Sequence, residues 1–183
     1  MKDENGSHLF EQLLLILDST KLYKIYADFF RGKLASIAVH PISNFVFQRM
    51  IDSIKTASFL QLIFEELISN NVDLIKSKRD GVLKCLVDAC RRIGSCHNQA
   101  MSLIFNSLEM VNTNDRIELV PKLLASNINS NTAYNHRKKF ANINKALILQ
   151  CLFSYPQNLN DVVVNRYSSH LCTLQLPSRY IVY

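Results

Sequence analysis

Glycine and proline are scarce in this chain, at 8 of 183 residues together. Four glycines cannot supply the many tight turns of an all-β protein. So few turn formers beside 48% hydrophobic residues also argue against a disordered tail. No stretch approaches the roughly 18 uninterrupted apolar residues of a membrane span, so no membrane partner is expected. The five cysteines, Cys85, Cys90, Cys96, Cys151 and Cys172, form no CxxC pair. Without four convergent ligands for zinc they read as reduced, mostly buried thiols that pack as small hydrophobes. There is no Gly-rich phosphate loop, no HExxH, no GxSxG and no plausible pair of carboxylates. Cys96 and His97 are adjacent, and neighbours on a helix point about 100° apart, which argues against a thiol nucleophile with its base. The chain is therefore expected to be no enzyme, with no cofactor, no metal and no small-molecule substrate. Lysine plus arginine outnumber the acids 21 to 15, a net charge of +6 that suits a polyanionic partner. The polar, acidic start from Met1 to Ser7 reads as neither a signal nor a transit peptide, and the nucleus or cytosol is the expected compartment.

What the chain does have is helical periodicity. Leu9, Leu13, Ile16 and Leu17 recur at helical spacing after Ser7, read as an N-cap. A helix over Lys21 to Arg31 is expected to stop at Gly32, and a short one over Lys33 to Val39 at His40-Pro41. Ser43 is read as the cap of a long helix to about Ile54, and Ser58 as the cap of Phe59 to Ile68. The cycle then repeats: a short helix over Val72 to Lys76, a long one over Gly81 to Ile93 capped by Asp80 and stopped by Gly94, and another over His97 to Val111. Asp115 starts Arg116 to Ala125, where Pro121 either opens a helix or kinks it. An Asn-rich loop over 127–144 follows, carrying His136-Arg137-Lys138-Lys139. Lys145 to Phe153 and Leu159 to Tyr167 close the pattern. Phe29, Phe30, Phe47, Phe59, Phe64 and Phe105 fall on the apolar stripe and are assigned to the core.

The long helices start near residues 7, 44 and 80, at spacings of 37 and 36. A fixed period of this size is the mark of a solenoid. A fourth long helix near 146 lies 66 residues after 80, one period plus the polar loop. Aligned at their starts, the windows are Ser7-His8-Leu9-Phe10-Glu11, Asn44-Phe45-Val46-Phe47-Gln48, Asp80-Gly81-Val82-Leu83-Lys84 and Ala146-Leu147-Ile148-Leu149-Gln150. Places three and four are apolar in all of them and are expected to face the core. At about 100° per residue, places one, two and five share one arc of the helix. In a solenoid that arc from each repeat would line one continuous surface.

The window Asn44-Phe45-Val46-Phe47-Gln48 resembles the base-reading motif of Pumilio-type RNA-binding repeats, as does Ser7-His8-Leu9-Phe10-Glu11. In that motif two side chains contact the edge of one base and a third stacks. The stretches His40-Pro41-Ile42-Ser43 with Asn44 to Arg49, and Gly6 to Glu11, look like the divergent branch called nucleolar protein nine. Gly81 to Cys90 and Ala146 to Gln150 are similar too, so the resemblance runs over roughly 5–165. It implies an all-α, curved right-handed solenoid of about four three-helix repeats in the nucleolus. It also implies single-stranded RNA as partner, specifically small-subunit pre-rRNA during its processing, alongside pre-ribosomal proteins.

Side-chain chemistry fits this. Asn44 and Gln48 each offer an amide donor and acceptor to a uracil edge. Phe45 can stack between bases for about 1–3 kcal/mol. Glu11 can accept from a guanine edge, with Ser7 as second contact and His8 as stacker. By resemblance to the Pumilio code, the second window prefers uracil and the first guanine. The third window keeps Lys84 without a stacker and the fourth keeps only Gln150, so these are read as contacts to backbone or structure, and specificity as loose. The basic clusters Lys76-Lys78-Arg79, Arg91-Arg92 and Arg137-Lys138-Lys139 are either phosphate contacts or solvated faces. The competing reading of the whole is a HEAT- or armadillo-like scaffold that binds a protein. The expected organisation is one array over 1–167, with an insertion at 127–144 and an irregular tail at 168–183. A solenoid end needs a polar cap and neither end shows one, so the chain is expected to be a partial array.

Overall fold

The computed structural model describes residues 4–110, 118–125 and 143–156. Their regular elements are all helical: α1 (Glu4–Ile16), α2 (Ser19–Ile25) running into a π turn (Tyr26–Phe30), α3 (Leu34–Val39), α4 (Ser43–Ser53), α5 (Ala57–Ser69), α6 (Asp80–Ile93), α7 (His97–Ser107), α8 (Leu119–Ala125) and α9 (Ile143–Phe153). The loop over 127–144 falls largely outside the described residues, as do Asp115, Leu159 to Tyr167 and the tail from 168.

Helix ends follow local chemistry, though the capping groups differ from those expected. Ser7 and Ser58 lie inside α1 and α5, and Ser43 and Asp80 are the first residues of α4 and α6. The start of α4 is held instead by His40, whose Nδ1 accepts from the backbone N–H groups of Ile42 and Ser43, both at 3.1 Å. Asp18 starts α2 by accepting from Lys21 N at 2.9 Å. Gly94 ends α6 as expected, at φ 72°, its N–H donating to Cys90 O. Glu109 adopts φ 55°, with Met110 N donating to Phe105 O, and this closes α7 at Ser107, short of Val111. The short helix expected over Val72 to Lys76 is absent; hydrogen-bonded turns stand there, with Lys76 N bound to the Asp73 carboxylate. Such an Asx-type bond competes with helix propagation.

The long helices α1, α4, α6 and α9 lie side by side in that order, each packed on the next. A second layer behind them holds α2 with its π turn, α5 and α7. Tyr23 and Tyr26 pack on Phe59 in it, and Tyr26 donates to Glu66. Although 66 residues separate the third and fourth windows, α9 packs directly on α6. Val46, Phe47, Met50, Ile63, Phe64, Val82, Leu86 and Ile148 are fully buried between the layers. Of the phenylalanines assigned to the core, Phe30, Phe47, Phe59, Phe64 and Phe105 are buried, but Phe29 is 63% exposed. The π turn explains this: its wider turn brings Leu22, Tyr26 and Phe30 onto one inward line and rotates Phe29 outward. Leu9 also departs from expectation, at 75% exposed, because it lies on the side of α1 away from α4.

Two of the arginines read as surface charges tie repeats together. Arg92 of α6 donates through Nη1 to Ile54 O and through Nη2 to Ile51 O, carbonyls at the end of α4. Arg79 Nε donates to Val39 O at the end of α3 (2.8 Å). Helix C-termini present orphan carbonyls and a partial negative charge, so cationic donors suit them. Arg91 and Lys76 stay at the surface, paired with Asp88 and with Asp73 and Glu109. The third cluster, Arg137-Lys138-Lys139, lies outside the described residues.

Candidate functional site

The windows sit at the starts of the inner-layer helices, and their five places differ sharply in exposure. Places three and four are buried in α4, α6 and α9: Val46, Phe47, Val82, Leu83, Ile148 and Leu149. Place two faces outward in the first two helices, with His8 exposed and Phe45 52% exposed. Place one is sunk between neighbouring helices. Ser7, Asn44 and Asp80 are buried, whereas Ala146 on α9 is exposed. The arc of places one, two and five is therefore graded from a buried to an exposed edge, because the next helix of the layer covers one side of it.

In the first window the Glu11 carboxylate collects three neighbours. Ser7 Oγ donates to Oε1 at 3.4 Å, His8 Nδ1 lies 3.7 Å from the same oxygen, and Arg49 Nε of α4 lies 3.7 Å from Oε2. The structure thus brings Ser7, His8 and Glu11 together and adds Arg49, which sequence reasoning missed. The i,i+4 spacing of Ser7 and Glu11 was legible; a partner from the next repeat could be found only by knowing which face of α4 meets α1.

In the second window Asn44 Nδ2 donates to His40 O (2.7 Å) and Pro41 O (2.9 Å), and its Oδ1 accepts from Gln48 Nε2 (2.9 Å). Both amide hydrogens of Asn44 are engaged inside the chain, while Gln48 keeps one of its own. Phe45 stands beside this pair with its ring in solvent. Gln48 also reaches across to α6, where Cys85 Sγ lies 3.9 Å from its Oε1. Burial pushes the Cys85 thiol up to about 12, so it stays a neutral donor. A Cβ at Gly81 would come within 3.0 Å of both Gln48 amide atoms. The missing stacker of the third window thus leaves the space in which Gln48 lies.

The remaining predicted residues are not drawn into pairs of this kind. Lys84 is half-buried on α6, its charge helping to hold the Asp88 carboxyl below its usual range, after the larger effect of Arg91. Gln150 is exposed on α9. Between these two helices Asp80 faces Lys145, which is fully buried; burial lowers the Lys145 pKa and Asp80 opposes that shift. Among the described residues no group of His, Cys, Asp or Glu is placed to hold a metal ion.

An inner layer of register-matched helices, two of which (α1 and α4) carry a polar pair and an exposed ring at their starts, defines a Pumilio-type helical repeat array. Over residues 1–176 the sequence matches the family described as NOP9-like PUF repeat domain, and the chain belongs to that family. It is 40% identical over 107 residues to Nucleolar protein 9 of Mus musculus, covering 58% of this chain and 17% of that protein. It is 32% identical over 116 residues to Nucleolar protein 9 of Homo sapiens, covering 63% of this chain and 18% of that one. The chain thus matches under a fifth of the length of these relatives. The solved structure of APUM23-GGAGUUGACGG shares the fold, with a TM-score of 0.79 at 22% identity over 92% of this chain and 32% of that one.

Proposed function

We propose that this chain binds single-stranded RNA across the outward edge of α1, α4, α6 and α9. The observation that carries the reading is the matched pair of windows in which a ring is exposed beside an internally ordered polar pair: His8 beside Ser7 and Glu11, Phe45 beside Asn44 and Gln48. A pair that hydrogen-bonds within the chain costs little further ordering when a base docks on it. In the second window Asn44 sets the orientation of Gln48, Gln48 presents its remaining amide hydrogen to a uracil-like edge, and Phe45 stacks. In the first, Glu11 accepts from a guanine-like edge while Arg49 and Ser7 hold the carboxylate. Lys84 and Gln150 lie along the same layer and contact backbone. With two such windows among four, sequence discrimination is weak.

Membership of the NOP9-like family and the nucleolar names of the relatives support a role on pre-rRNA of the small ribosomal subunit in the nucleolus, in company with pre-ribosomal proteins. APUM23, whose fold this chain shares, was solved as APUM23-GGAGUUGACGG. The test is a titration of the full chain with fluorescent single-stranded RNA containing U and G, at two salt concentrations. Binding should weaken as salt rises, because phosphate contacts release counterions. Replacing Asn44, Phe45 and Gln48 together by alanine should weaken it further. An unchanged affinity in that variant, or no salt-sensitive binding at micromolar protein, overturns the reading.

A further inference from the structure

The first two grooves between inner helices are lined from both sides. At about 100° per residue, place five of a window turns toward the helix that follows, and place six turns toward the helix before. Their contacts match. Arg49, at place six of α4, meets Glu11, at place five of α1. Cys85, at place six of α6, meets Gln48, at place five of α4. A base entering either groove therefore meets two repeats, through the fifth place of one and the sixth place of the next. The grooves differ in what the sixth place brings. Cys85 adds a buried thiol, whereas Arg49 adds a half-exposed guanidinium.

Two carboxylates hold Arg49 in place. Its Nε lies 3.7 Å from Glu11 Oε2, and its Nη1 lies 3.5 Å from Asp52 Oδ2. A guanidinium carries five N–H donors in a fixed fork, so donors remain beyond these two contacts. The Arg49 side chain is 47% exposed and that of Glu11 only 10%, so the arginine is the half of the pair that solvent reaches more widely. Exposed rings flank the pair. His8 Nδ1 lies against the same Glu11 carboxylate, and Phe45 stands one turn before Arg49 on the same face of α4. The groove thus sets a cationic donor beside a carboxylate acceptor, between two rings.

We infer that Arg49 is a specificity-determining contact of the first window, donating to O6 of a guanine whose N1–H and 2-amino group donate to Glu11. The inference rests on the RNA reading proposed above and deepens it. Guanine is the one RNA base whose pairing edge runs acceptor, donor, donor. Uracil ends in an acceptor where Glu11 needs a donor. Adenine and cytosine set an amino group against Arg49, donor against donor. Glu11 and Asp52 orient the guanidinium before a base arrives, which lowers the cost of ordering it. Since Arg49 belongs to the second repeat, the first base is read by two repeats together.

The test is titration of the full chain and of Arg49→Ala, at one salt concentration, with a fluorescent uridine-rich single-stranded RNA holding one guanine. The same RNA is used with inosine or adenine in that place; inosine keeps O6 and N1–H but lacks the 2-amino group. Wild type should bind the guanine RNA about tenfold more tightly than the adenine RNA. Arg49→Ala, at an exposed position and with unchanged helical circular dichroism, should lose about tenfold on guanine and inosine alike and nothing on adenine. Arg49→Lys keeps a cationic donor and should retain part of the guanine preference. Equal loss on all three RNAs marks a phosphate contact and overturns the inference while sparing the RNA reading. A larger loss on guanine than on inosine also overturns it, because Arg49 then acts only by orienting Glu11, the group that meets the 2-amino hydrogens. A wild type that binds none of the three overturns the inference and the RNA reading together.

Discussion

Arg91 and Arg92 are adjacent on α6 and carry the same charge, yet the structure gives them unequal weight. Arg92 spans two carbonyls at the end of α4, Ile51 O and Ile54 O, and so fastens the second repeat to the third. Hydrogen bonds from a charged donor contribute about 1.5–3 kcal/mol where water is excluded, and a cation at a helix C-terminus adds about 0.3–1 kcal/mol. Arg92 is partly in solvent, which favours the low end, so Arg92→Ala should cost about 2 kcal/mol. Arg91 makes a surface pair with Asp88 at i,i+3 (2.7 Å), and such pairs contribute a few tenths of a kcal/mol. Urea unfolding followed by circular dichroism separates the two. With a slope of about 2 kcal/mol per molar urea, the midpoint should fall by about 1 M for Arg92→Ala and by about 0.2 M for Arg91→Ala. Arg92→Lys should recover less than half of the loss, since an ammonium is a point donor and cannot fork between two carbonyls. Equal shifts for the two alanine variants would refute the clamp.

Three other outcomes follow from local chemistry. His40→Ala removes the acceptor for the Ile42 and Ser43 N–H groups and should cost about 1 kcal/mol in thermal or urea unfolding, with His40→Asn retaining most of the stability. Gly81→Ala should not lower stability, because alanine favours helix, but its Cβ displaces Gln48; RNA titration should show weaker binding beside an unchanged urea midpoint. Burial pushes the Cys85 and Cys90 thiols up to about 12, so the folded chain holds them protonated where the unfolded chain releases the protons. That stability is fully present below the unfolded thiol pKa of about 9 and is lost as pH climbs from there toward 12. Urea midpoints measured from pH 8 upward should fall over this window, and a flat profile would count against buried neutral thiols.

Much of the fold was written in periodicity. The windows at 7, 44 and 80 fall in the inner layer because apolar places three and four recur in register, and Gly94 ends α6 where a left-handed residue was needed. What periodicity does not carry is the effect of neighbours. Ser7 and Asn44 have polar side chains at places that looked exposed, yet the adjacent helix buries them, and they satisfy their hydrogen bonds within the chain. Leu9 was assigned inward by the rule that buries Val46 and Val82, but it lies on the side of α1 that no helix among the described residues covers. Phe29 was misplaced for a different reason: a π turn changes the angular step, and residue types alone do not announce one. The stacking places at His8 and Phe45 were legible from the motif, whereas Arg49 and His40, which hold the neighbouring polar groups, depend on contacts between elements. Cys85, Cys90, Cys96 and Cys151 are buried free thiols, as the lack of a CxxC pair and of convergent zinc ligands implied.

The central claim is that the inner-layer edge, and not the outer layer, meets RNA. Phe45 and Phe29 provide matched probes, since both rings are largely in solvent but stand on opposite layers. Equilibrium titration of the full chain, Phe45→Ala and Phe29→Ala with one fluorescent single-stranded RNA tests the claim most directly. Loss of a stacked base costs about 1–3 kcal/mol, so Phe45→Ala should weaken binding by roughly tenfold or more while Phe29→Ala leaves it unchanged. Equal weakening by the two substitutions, or an effect of Phe29→Ala alone, would contradict the account.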